Sequence, residues 1–129
     1  MKIFDPQAQP TEVQETLYKL QHSNIQFIVT QEELTVQDFL ESVKKLRPRH
    51  YPIILKTYFE EASHCQRLAS IEQAITSNIP LPVLFLNFCS YGLIIDGCHR
   101  ALVCRKLFGT DFKVPVLCVR PKNNTKNNI

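Results

Sequence analysis

Apolar side chains recur along this chain with two alternating periods, and the switches between them outline its elements. Residues 10–22 read as a helix, with Pro10 suited to a first turn and Val13, Leu17 and Leu20 at helical spacing. Ile25 to Val29 alternates like a half-buried strand. Thr35 followed by Asp38 resembles a capping box, and Val36, Phe39, Leu40, Val43 and Leu46 make one stripe that Pro48 ends. Tyr51 to Phe59 is rich in β-branched and aromatic residues and predicts a strand. Ser63 and Gln66 predict a second capping box, opening a helix with Leu68, Ile71 and Ile75 inward and Asn78 at its C-terminal end. Pro82 to Phe88 is a near-continuous apolar strand, and Cys89 to Gly92 a tight turn into Leu93-Ile94-Ile95. A helix then runs from Gly97 to Phe108 with Gly109 as its cap, and Val114 to Val119 is the last strand. The order predicts a small α+β domain, a mixed β-sheet with helices packed over it.

The chain's 129 residues suit a single domain over 1–120, and the polar 121–129 stretch reads as a disordered tail. Lys and Arg exceed Asp and Glu by three (15 against 12), too few to argue for a nucleic-acid partner. No apolar run is long enough to span a bilayer, and Asp5, Pro6, Gln7 and Gln9 break any signal-peptide core. Five cysteines without a C-x-x-C pair argue against a disulfide framework or zinc site. Reduced thiols and a cytoplasmic location are the expectation.

The chemistry concentrates in Ile95-Asp96-Gly97-Cys98-His99-Arg100, where an apolar run breaks at Asp-Gly and reopens as a helix. A helix N-terminus beside two basic side chains attracts anions, and Gly97 lets backbone approach a phosphate. This element, with Leu107-Phe108-Gly109 and the strand around Pro115 downstream, resembles the ParB/sulfiredoxin-like superfamily. The resemblance covers roughly residues 50–120, and leaves 1–48 as an additional N-terminal helical segment: an added lobe, a dimerisation surface or a lid.

The resemblance implies nucleotide binding, ATP or ADP with Mg²⁺, by Asp96, Gly97, Cys98, His99 and Arg100. Similarity to the free serine kinases of the ParB-like group implies phosphoryl transfer to a small hydroxyl-bearing molecule, with Glu61 as general base facing the mouth of the phosphate pocket. Gly97-Cys98-His99-Arg100 is also similar to the sulfiredoxin motif, which implies an alternative: Cys98 as a low-pKa nucleophile reducing a peroxiredoxin sulfinate. A non-enzymatic nucleotide-binding or DNA-partition-related module is a further alternative. The remaining histidines form no metal-binding triad at recognised spacing. The acceptor and the oligomeric state stay open.

Overall fold

The computed structural model describes residues 2–122. Its elements are β1 (Phe4–Asp5), α1 (Thr11–Gln21), β2 (Phe27–Thr35), α2 (Val36–Leu46), α3 (Tyr51–Glu60), α4 (Ala62–Thr76), β3 (Leu81–Pro82), β4 (Leu84–Asn87), β5 (Ile95–Asp96), α5 (Cys98–Phe108) and β6 (Lys113–Pro121). Four strands form a mixed sheet in the order β2-β6-β4-β5, with β4 and β6 parallel and the other pairs antiparallel. β1 and β3 form a separate parallel pair. The expected α+β class is present.

β4 reads as a continuous apolar run because it is buried on both faces. Leu84 and Leu86 join Phe39, Leu40, Leu102 and Val116 in one core, whereas Phe85 joins Val13, Leu20, Leu117 and Val119 in the other. Helices α2, α4 and α5 therefore cover one face and α1 the opposite one. Buried Asn87 fixes the loop between β4 and β5, since its Nδ2 donates to the carbonyls of Tyr91 and Leu93 at 2.8 and 3.0 Å. Thr16 of α1 accepts from the Leu93 amide at 3.1 Å, anchoring that loop from the other side.

Several expectations hold. Asp38 N donates to Thr35 Oγ1 at 3.0 Å, and Asn78 and Gly109 adopt positive φ after α4 and α5. Three are corrected. Tyr51–Glu60 is a helix, not a strand: Pro52 fits its first turn, and Tyr51, Leu55 and Tyr58 pack on the core at helical spacing while Ile53 and Phe59 stay exposed. The Ser63 capping box does not form, because α4 starts two residues earlier with Glu61 at its N-cap. β2 runs on to Thr35 through polar Thr30 to Glu33, since an edge strand paired on one side only leaves its side chains in solvent.

That strand and α2 also change the reading of residues 1–48. β2 pairs along the whole of β6, and Phe39 lies fully buried in the larger core. The segment is part of the sheet and its core. Of the tail expected over 121–129, Pro121 instead closes β6 and the Lys122 amide donates to the Gln26 carbonyl at 2.9 Å, while residues 123–129 lie outside the described residues. Phe39→Ala should lower stability by about 3–5 kcal/mol in a single cooperative urea transition. Two separate transitions would contradict a shared core.

Candidate functional site

Arg100, in the first turn of α5, builds this site. Its Nη2 donates to the Val83 carbonyl at 3.0 Å and to Asp96 Oδ2 at 3.2 Å, tying the helix to the residue before β4 and to the end of β5. Its Nε is buried without a partner. Gly97, between β5 and α5, has φ +110°, and a Cβ there would sit 2.6 Å from Leu84 Cγ. Only glycine fits this close crossing, which fixes the point where α5 begins, with no side chain capping its first amides.

The residues of that first turn line a pocket of about 240 Å³ together with Glu12, Tyr58, Arg67, Ile71, Leu93 and Ile95. Asp96, Gly97, Cys98, His99 and Arg100 all belong to its wall, so the structure brings together the five predicted phosphate-site residues. A second cavity, about 330 Å³, shares Tyr58, Leu93, Ile95 and Cys98 with it and adds Arg47, His50, Ile54 and Ile94. One chamber is thus polar with a helix N-terminus, and its neighbour is mostly apolar. A larger groove of about 500 Å³ lies between α4 and α5, but apolar Phe59, Leu68, Leu102 and Val103 dominate its lining.

Three sequence expectations meet different geometry. Glu61 does not line the polar pocket. Its half-exposed carboxylate lies 3.7 Å from His64 Nε2, and His64 Nδ1 is 2.9 Å from His99 Nε2. Glu61 therefore connects to the pocket through His64. Cys98 is buried, and burial, with Asp96 beside it, pushes its thiol up to about 11, opposite to the lowered value expected of a nucleophile. Arg100 spends Nη2 on the protein itself, which leaves exposed Arg67 as the cation best placed for a ligand.

His99 stacks on Tyr58 with ring centroids 3.9 Å apart and planes at 16°. Burial, then the nearby charges of Arg67, His64 and Arg100, push its pKa down to about 4. Burial likewise raises the Tyr58 hydroxyl to about 12. Both groups are neutral at physiological pH. His64 and Tyr58 were missed in the sequence. The one signal for His64 was its i+3 spacing from Glu61, and for Tyr58 the helical spacing with Tyr51 and Leu55 hidden under strand-like composition.

No family model, curated protein or solved structure matches this chain.

A prediction follows for pH. An unfolded histidine takes its proton near pH 6.5, but folded His99 only near 4. The stability from keeping it neutral is complete above pH 6.5 and declines as pH falls from 6.5 toward 4. Urea midpoints compared at pH 7.5 and 4.5 should show this loss, and His99→Gln should shrink it. An undiminished loss in the variant would assign it to other groups.

Proposed function

We propose that this chain is a nucleotide-binding protein of ParB/sulfiredoxin-like architecture that takes ATP or ADP and transfers a phosphoryl group to a small hydroxyl-bearing molecule. The observation that carries the reading is the pairing of a polar chamber at the α5 N-terminus with an adjoining apolar one. Phosphates suit the first: free helix amides and the Arg67 guanidinium attract them, and neutral His99 adds no proton-dependent charge. A base and sugar suit the second, among Ile54, Leu93, Ile94 and Ile95, with Arg47 and His50 at its polar end.

Among the described residues no cluster of three or more His, Cys, Asp or Glu could hold a metal alone. Asp96 and Glu12 are the carboxylates lining the phosphate chamber. One or two carboxylates plus substrate phosphates and water suit Mg²⁺, so the ion fits as a companion of the nucleotide, there to neutralise phosphate charge. Phosphoryl transfer then rests on positioning more than on covalent chemistry by the protein. The cysteines are free, including exposed Cys65, which supports a reduced, cytoplasmic setting. No helix among the described residues is long and apolar enough to cross a membrane.

Arg67→Ala is the cleanest test, because Arg67 is exposed whereas Arg100 also holds the fold. Losing one charge-assisted contact should weaken ATP and ADP binding about tenfold in calorimetry, with the melting temperature unchanged. Equal affinity in variant and parent, or a parent that binds neither nucleotide, would overturn the reading.

A further inference from the structure

Four side chains from α3, the α3–α4 junction, α4 and α5 meet at the edge of the phosphate chamber. Tyr58 comes from the last turns of α3, Glu61 from the α3–α4 junction, His64 from the first turn of α4 and His99 from the first turn of α5. His64 Nδ1 and His99 Nε2 are 2.9 Å apart, close enough for one proton between them. Glu61 Oε2 lies 3.7 Å from the other nitrogen of His64. Carboxylate, imidazole and imidazole thus form a line running from solvent to the chamber wall. Tyr58 packs against both rings, at centroid distances of 3.9 Å for His99 and 4.6 Å for His64.

We propose that this line is a proton relay for the transfer reaction, with His99 as the catalytic base and His64 and Glu61 as positioning residues that conduct the proton outward. The inference rests on the phosphoryl-transfer reading above, and replaces Glu61 with His99 as the group that meets the acceptor.

The relay requires one tautomer of each ring. In the relay His64 carries its proton on Nε2, the nitrogen that faces Glu61 Oε2 at 3.7 Å, and its bare Nδ1 accepts from His99 Nε2–H. That leaves Nδ1 of His99 as the lone pair free for an acceptor hydroxyl. In the transfer the acceptor oxygen bonds to the terminal phosphorus, while the bond from that phosphorus to its bridging oxygen breaks. The electron pair leaves with the nucleoside diphosphate. The acceptor proton passes to His99 Nδ1, the Nε2 proton of His99 to His64 Nδ1, and the Nε2 proton of His64 to Glu61 through one water that bridges their 3.7 Å separation. Glu61, half exposed, releases it to water.

The surroundings keep the first member ready. Facing His99 are Tyr58 from α3, His64 and Arg67 from α4, Arg100 from α5 and Asp96 from β5, with Glu12 of α1 also lining the chamber. Cations outnumber anions at the ring and burial adds to them, so the imidazole is unprotonated at neutral pH. A weakly basic group suffices, because the leaving-group bond is largely broken in the transition state.

The test is ADP release from Mg·ATP with water or glycerol as acceptor, measured beside ATP affinity. His99→Gln should cut the rate about 10²–10⁴-fold, a far larger effect than its change in ATP affinity. His64→Ala should lose a comparable factor, and added imidazole should restore much of it, which a purely structural histidine would not allow. Glu61→Gln, at a half-exposed site outside the core, should slow the rate about tenfold and reads the relay even if a histidine variant fails to fold. Unchanged rates in His99→Gln, or no rescue of His64→Ala, would overturn the relay. A parent that binds ATP but releases no ADP would overturn the relay and leave nucleotide binding standing; a parent that binds no ATP would overturn both.

Discussion

The arrangement of the site depends on one largely buried guanidinium. Arg100 reaches back from the first turn of α5 to the Val83 carbonyl and across to Asp96, so one side chain joins the start of β4, the end of β5 and the helix they launch. Gly97 completes the junction by letting backbone press against Leu84 where any Cβ would collide. Interactions to a charged, largely desolvated donor are among the stronger hydrogen bonds, and breaking one partner leaves the other buried and unpaired. The position of the α5 N-terminus at the pocket follows from that clamp.

Around the clamp the fold separates two kinds of work. The sheet and α1 hold the loop from Asn87 to Leu93 rigid through Asn87 and Thr16, which fixes the floor of the two chambers. Helices α3 and α4 supply the wall, breaking at Glu61 where the backbone turns extended for one residue. That break brings Tyr58 and His64 onto the same imidazole of α5. Cys98 sits between the chambers as a buried apolar wall, its thiol held protonated by burial.

Local signals were legible from residue patterns, and long-range ones were not. The Thr35 cap, the α5 span from Cys98 to Phe108 and the Gly109 terminator depend on neighbours a few positions away. The five residues from Asp96 to Arg100 are contiguous, so they were bound to share one site. Strand-like composition hid α3, because Ile53 and Phe59 are apolar yet exposed and obscure the Tyr51, Leu55 and Tyr58 stripe. Polar Thr30 to Glu33 hid the second half of β2, whose pairing partner lies far along the chain in β6. The contact between His64 and His99 spans 35 positions and depends on how α4 crosses α5. Nothing in either local sequence encodes it. The same holds for the demotion of Arg100 from ligand contact to clamp, which requires knowing that the Val83 carbonyl lies within its reach.

The central claim is that phosphates dock at the α5 N-terminus with the base in the adjoining chamber. It is tested most directly by titrating ADP into isotope-labelled protein and following backbone amides by NMR. The account predicts that the largest shifts fall on Gly97, Cys98, His99 and Arg67, with a second set at Ile54, Leu93 and Ile95. Shifts confined to the apolar groove of Phe59, Leu68 and Leu102, or no shifts at millimolar ADP, would contradict it.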